Sequence, residues 1–180
     1  MGLRRAKCYK WDSPAFTRIS NNPADSFVTG IPGSKIIRFD MGDPNEDWDV
    51  QVDLISSEDI QLRHNSLEAA RQTANRHVEK NLGKHGFYFK VRVFPHHIMR
   101  ENKMATGAGA DRVQTGMRQS FGKPVGKAAR VKKDQVVMSI YVKEDKTDVA
   151  KEALRRARMK FPCSMRTEII QLKEAPADAQ

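Results

Sequence analysis

The sequence predicts an α+β fold, a single two-layer domain in which a mixed β-sheet is covered by two main helices and interrupted by a long basic internal loop. Three observations point there. Helical spacing of apolar residues appears in two places, β-type alternation appears in several short runs around them, and Lys103 to Lys133 is rich in Gly, Lys and Arg with few bulky apolar residues. A chain of 180 residues fits one domain, and 39% hydrophobic content excludes collagen-like and wholly disordered classes.

Taken in order, Ser34 to Met41 and Val50 to Ser56 are predicted strands joined by the acidic turn at Gly42-Asp43-Pro44, and Ile60 to Arg63 is a short third strand. Asn65-Ser66-Leu67-Glu68 has the form of a capping box, in which the Asn side chain accepts a backbone hydrogen bond and Glu68 reaches back. Leu67, Ala70, Ala74, Val78 and Leu82 then follow helical spacing up to Gly83, so a helix is expected from about Ser66 to Leu82, with Arg71, Arg76 and Lys80 on its polar face. Phe87 to Phe94 is a strand ending at Pro95, whose alternate aromatics belong to the core rather than to stacked bases, and Gln135 to Val142 is another. The second helix is expected to start at Thr147 or Asp148, capped by a side-chain oxygen, and to reach about Lys160 before Pro162. Its buried stripe is Val149, Ala153, Leu154 and Ala157. Its opposite face carries Lys151, Arg155, Arg156 and Arg158, which also suit the helix dipole. Met165 to Leu172 is the closing strand, residues 1–172 form the domain, and 173–180 are a flexible tail.

The net charge of +10 is concentrated. Lys84 to Lys133 holds twelve basic residues against only Glu101 and Asp111, which equals the whole excess, so the rest of the chain is neutral in sum. That rest is itself polarised: Arg4, Arg5, Lys7 and Lys10 stand at the N-terminus, whereas Asp40 to Asp59 has eight acids and no Lys or Arg. Glycine lets a backbone approach phosphates while Arg and Lys neutralise them, so the central stretch is expected to contact a nucleic acid.

Other classes have little support. No run approaches the roughly 18 apolar residues of a membrane span, and Met1 to Trp11 lacks the apolar core of a signal peptide, so a cytoplasmic protein is expected. Cys8 and Cys163 are far apart, and His96-His97 are strand neighbours pointing to opposite faces, so neither a disulfide framework nor a metal site is expected. Gly107 to Arg112 departs from the dinucleotide fingerprint at its third glycine. Gly116 to Pro124 departs from a P-loop in spacing and in its final residue. The acids Asp49, Asp53, Glu58 and Asp59 read as a solvated face rather than an acid–base pair. No cofactor and no small-molecule substrate is expected.

Three blocks carry a resemblance: GIPGSKI (Gly30 to Ile36), QLRHNSLEAARQTANRH (Gln61 to His77) and FPHHIMRENKMATGAGADRVQTGMRQSFGKPVGKAARV (Phe94 to Val131). Together they resemble the universal large-subunit ribosomal protein L-sixteen family in its archaeal and eukaryotic L-ten-e form, over about Tyr9 to Ile170. The part from Pro162 onward is the least family-like. The resemblance implies an α/β-hammerhead-like fold and a structural role in the large ribosomal subunit, without catalysis. It implies binding to large-subunit rRNA near the peptidyl-transferase centre and the tRNA accommodation site, with neighbouring ribosomal proteins as further partners. On that reading Arg4, Arg5, Lys7, Arg63, Arg71, Arg76, Arg118, Lys123, Lys127, Arg130 and Lys132 are expected rRNA contacts. The internal loop, about residues 100–113, is expected to face the tRNA acceptor arm through Arg100, Asn102, Lys103, Gly107, Gly109 and Arg112, and a helix from about Asp111 to Phe121 follows it. The rival readings are an RNA-modifying or RNA-cleaving enzyme with a cationic substrate-binding insertion, and a DNA-compacting protein.

Overall fold

The computed structural model describes residues 4, 14–28, 30–104, 116–118 and 120–172. In chain order these form a 3-10 turn at Pro23–Asp25, strands β1 (Asp40–Gly42), β2 (Val50–Ser56) and β3 (Ile60–Arg63), helix α1 (His64–Leu82), strands β4 (Tyr88–Val91), β5 (His97–Glu101), β6 (Lys123–Val131) and β7 (Val136–Val142), a 3-10 turn at Glu144–Lys146, helix α2 (Thr147–Arg158) and strand β8 (Met165–Gln171). The α+β class and the two helices agree with the sequence. The single mixed sheet does not: the strands form a five-stranded sheet ordered β1-β4-β7-β2-β8 and a three-stranded sheet ordered β3-β6-β5, and every pairing among the described residues is antiparallel.

The three-stranded sheet was hidden because β6 lies in the Gly- and Lys-rich stretch Lys103 to Lys133 and β5 ends inside the loop expected over about 100–113. β6, KPVGKAARV, carries Lys, Pro and Gly, which depress strand propensity, yet its Ala128, Ala129 and Val131 are buried. Its pairing with β3 and β5 supplies the backbone partners that the local sequence does not advertise. Conversely, most of the strand expected over Ser34 to Met41 is absent, and only Asp40–Gly42 joins β4. The preceding residues leave the ladder so that Ile36 plugs the core at 1% exposure, while Ile37 stands out at 80%.

The helix starts also differ in their chemistry. β3 runs straight into α1, so Arg63 occupies the N-cap position without a side-chain capping bond and Asn65 lies inside the first turn. The expected capping box therefore does not form. Glu68 instead accepts from Arg71 Nε at 2.8 Å, Arg71 Nη2 at 2.6 Å and Gln72 Nε2 at 2.8 Å. Gly83 closes α1 as expected, with φ +77 and its N–H donating to the Glu79 carbonyl. In α2 Lys146 is the N-cap without a side-chain bond, and the Thr147 hydroxyl donates to the Glu144 carbonyl at 2.6 Å rather than capping. Ala150 takes the buried position expected of Val149.

α1 and α2 pack on one another, and α2 also lies on β2, β7 and β8. Small residues on both buried stripes, Ala70 and Ala74 facing Ala150, Ala153 and Ala157, let the helix backbones approach closely. Phe87 and Phe89 are buried and Tyr88 is turned outward, its hydroxyl donating to Asp40 at 2.7 Å, as strand alternation requires. Of the acids expected to be solvated, Asp53 is only 2% exposed; the Gln51 amide donates to both of its oxygens at 2.8 and 2.7 Å. Asp53 alternates with the core residues Val52 and Leu54, so it lies on the opposite face of β2 with Gln51, whose amide satisfies its lone pairs. No helix among the described residues is long and apolar enough to cross a membrane.

Candidate nucleic-acid interface

The three-stranded sheet gathers the basic residues that the sequence distributes over seventy positions. Register sets which of them meet. Arg63 of β3 and His97 of β5 both pair with Ala128 of the middle strand β6, and Gln61 pairs with Arg130. Leu62, Ala129 and Val131 alternate with these and enter the core, so Gln61, Arg63, His97 and Arg130 share the other face. Ala128 is small enough for His97 to reach over it, and its Nδ1 lies 2.7 Å from Gln61 Oε1, two strands away. Burial, followed by the charges of Arg130 and Arg100, pushes the His97 pKa down to about 4. A cleft of about 300 Å³ borders this face, lined by Arg4, Gln61, Arg63, Lys160 and Phe161 among others.

Arg63 and Gln61 are buried, and Arg130 and Lys127 are half-buried, whereas Lys123, Lys132, Arg118 and Arg4 are exposed. Lys127 stands near His64, whose pKa is lowered by burial first and then by Lys35 and Lys127. On α1, Arg76 is exposed, while Arg71 is half-buried and held by Glu68, with Nη1 3.2 Å from the Met41 sulfur. The expected contacts Arg5, Lys7, Gly107, Gly109 and Arg112 lie outside the described residues.

The ends of the expected tRNA-facing loop are well defined. Arg100 and Glu101 belong to β5 rather than to a loop. The Arg100 guanidinium sits 3.5 Å from the Phe121 ring centroid and 5.2 Å from that of Phe16. Phe16 in turn meets Phe27 and Phe121 edge-on at 5.4 and 6.0 Å. Nε and Nη1 of Arg100 are buried without a hydrogen-bond acceptor among the described residues, as expected for N–H groups covered by ring faces, and burial lowers its pKa. Asn102 Nδ2 donates to the Gly116 carbonyl at 3.2 Å, and Lys103 is exposed. Of the helix expected over Asp111 to Phe121, Gly116–Arg118, Ser120 and Phe121 are turns, and the rest lies outside the described residues.

Against this geometry, the family described as ribosomal protein L16p/L10e matches residues 14–168. The chain belongs to that family. The match includes Pro162 to Glu168, which the sequence alone ranked among the least family-like residues. Among relatives, the large ribosomal subunit protein uL16 of Staphylothermus marinus is 45% identical over 174 residues, covering 96% of this chain and 97% of its own. That of Methanococcus maripaludis is 44% identical over 179 residues, covering 99% and 100%. That of Archaeoglobus fulgidus is 52% identical over 136 residues, covering 76% and 78%. The family segment therefore contains both helices, the roots of the internal loop and both sheets except the last three residues of β8.

Sequence reasoning missed the Gln61–His97 pairing, the aromatic clamp on Arg100 and the contribution of Lys35. The first two join residues far apart in the chain, and no local spacing signals them. Lys35 lies within GIPGSKI, which carries the family resemblance and part of the expected strand, but neither assigns Lys35 a contact.

Proposed function

We propose that this chain is a structural constituent of the large ribosomal subunit, non-enzymatic, and cytoplasmic as part of the ribosome. Membership of the L16p/L10e family over residues 14–168 is the observation that carries the reading, because the relatives are named large ribosomal subunit proteins along nearly their whole length. The cations of β6 and its neighbours suit it physically. Within β6 Lys127 lies toward His64 and Arg130 toward His97, on opposite faces of the strand, with Lys123 and Lys132 exposed at its two ends, so the rigid strand offers cations to phosphates on more than one side.

In the finer reading the partner is rRNA near the peptidyl-transferase centre, and the segment around 100–113 helps position the tRNA acceptor arm. Lys103 and Asn102 stand where the strand ends and the segment departs, which supports assigning them to the tRNA side. Arg100 fits a different part: held by Phe121, it supports the root of the segment. Sedimentation tests the function. The tagged protein is expected to comigrate with large subunits in a sucrose gradient, and replacing Lys123, Lys127 and Arg130 by Ala should reduce incorporation. Trimming residues 104–109 should leave incorporation intact and impair translation. Tagged protein that stays at the top of the gradient would defeat the ribosomal reading.

A further inference from the structure

We propose that in the free protein the open edge of β8 pairs with the same edge of a second copy of this chain, joining two five-stranded sheets across a twofold axis. β8 has seven residues and stands last in the order β1-β4-β7-β2-β8, so among the described residues β2 alone pairs with it. Ladder parity fixes which groups are left over. The Leu172 N–H donates to the Asp49 carbonyl at 2.8 Å and the Ser57 N–H to the Ser164 carbonyl at 3.2 Å, one step beyond each end of the register that pairs Val50 with Gln171 and Ser56 with Met165. Bonded and non-bonded pairs alternate along an antiparallel ladder, so Arg166, Glu168 and Ile170 bond to β2 whereas Met165, Thr167, Ile169 and Gln171 turn N–H and C=O outward. Arg158 Nη1 reaches the Met165 carbonyl at 3.5 Å. The open stretch therefore runs from Thr167 to Gln171, with Ile169 at its centre.

The side chains of this edge select a copy of itself. Sheet edges are ordinarily blunted by shortness, charge or proline. The opposite edge, β1, has only three residues, but β8 is long, and its Arg166 and Glu168 are turned onto one another at 2.8 Å, with Arg166 also donating to Asp134 at 2.6 Å. Beyond them the strand carries no charge, and Ile169, Ile170 and Leu172 are 48%, 42% and 47% exposed. The two ends differ in sign: Arg158 and Arg166 stand at the start, whereas the finish adjoins Asp49 and the acidic turn holding Glu46 and Asp47. An antiparallel copy reverses that order and sets each basic start against an acidic finish. Centred on Ile169, the twofold places Ile169 opposite its own counterpart, Thr167 opposite Gln171, Glu168 opposite Ile170 and Arg166 opposite Leu172. No like charges face each other, Ile170 and its counterpart become diagonal neighbours, and the outward main-chain groups of Thr167, Ile169 and Gln171 find partners. The cationic strand β6 belongs to the other sheet and takes no part.

The experiment is sedimentation equilibrium of the full-length protein, freed of nucleic acid, over a range of concentrations. Wild type should pass from one chain to two as concentration rises. Over the same range hydrogen exchange should slow at the amides of Thr167, Ile169 and Gln171, while those of Glu168 and Ile170, already bonded to β2, stay unchanged. Ile169→Lys and Ile169→Glu should each remain a single chain, because like charges then meet across the axis. An equimolar mixture of the two should recover the pair, which a variant that merely misfolds would not do. A single chain at every concentration overturns the proposal, and so does a pair that survives both charge variants or a mixture that fails to restore it. Slow exchange at Thr167, Ile169 and Gln171 in the single chain would mean that the chain covers its own edge, and overturns it as well.

Discussion

The guanidinium of Arg100 stacks on Phe121 with 3.5 Å between Cζ and the ring centroid, which ties the end of β5 to a residue two positions before β6. The two residues flank the segment expected to reach tRNA, so the contact holds its two roots together. A cation over an aromatic face is worth about 0.5–2 kcal/mol, depending on how far it is desolvated.

Arg100→Lys keeps the charge and loses the planar stacking surface, so it should destabilise the free protein nearly as much as Arg100→Ala, by about 1 kcal/mol. Phe121→Leu should do the same. A double-mutant cycle by urea unfolding should return a coupling energy of about that size. Additive single effects would show that the contact contributes nothing to the free protein.

Gly122→Ala should be more harmful than Gly116→Ala. Both glycines have positive φ, +79 and +59, but a Cβ at Gly122 would stand 2.7 Å from the Glu101 carbonyl carbon and 2.8 Å from the Asn102 nitrogen, whereas Gly116 has open space. The backbone penalty alone is about 1–2 kcal/mol, and only Gly122 adds a collision with main chain. Comparing the two unfolding midpoints checks the ranking.

His97 gives the fold a pH dependence whose sign follows from its lowered pKa. The folded protein resists protonating it down to about 4, while the unfolded chain takes up the proton near the ordinary histidine value of 6.5. Between these values the unfolded state binds more protons, so stability present above the unfolded pKa is lost as pH falls through this window. His64 and His77 are also lowered and act in the same direction. Urea midpoints measured above and below the histidine range should differ less in His97→Gln than in wild type; an equal difference would remove His97 as a source.

The register of α2 has its own test. Ala150 is fully buried against α1 while Val149 is only half-buried. Ala150→Leu should cost about 1–3 kcal/mol through overpacking, and Leu154→Ala about 2–5 kcal/mol through cavity formation. Val149→Ala should cost less than either. Thermal melts of the three variants distinguish this register from one that buries Val149.

What was legible in the sequence was local. The apolar stripe Leu67, Ala70, Ala74 and Val78 determines α1, the runs Val50–Ser56 and Val136–Val142 determine the central strands, and the clustering of cations between Lys84 and Lys133 determines the kind of partner. These features repeat with the period of one element and need no distant residue to define them. The family likeness depended on ordered blocks and was equally readable.

Tertiary structure decided the rest. Whether Lys123–Val131 is loop or strand depends on β3 and β5 offering it backbone partners, and whether Asp53 is solvated depends on which side of the sheet closes over it. The role of Arg100 depends on Phe16 and Phe121 arriving from opposite directions along the chain. Sheet register and ring stacking are relations between residues far apart in sequence, and their energies exist only once the chain has closed the loops that bring those residues together. Sequence alone determined how many cations there are and in which stretch they lie; folding decided which became anchors within the protein and which were left at the surface to meet RNA.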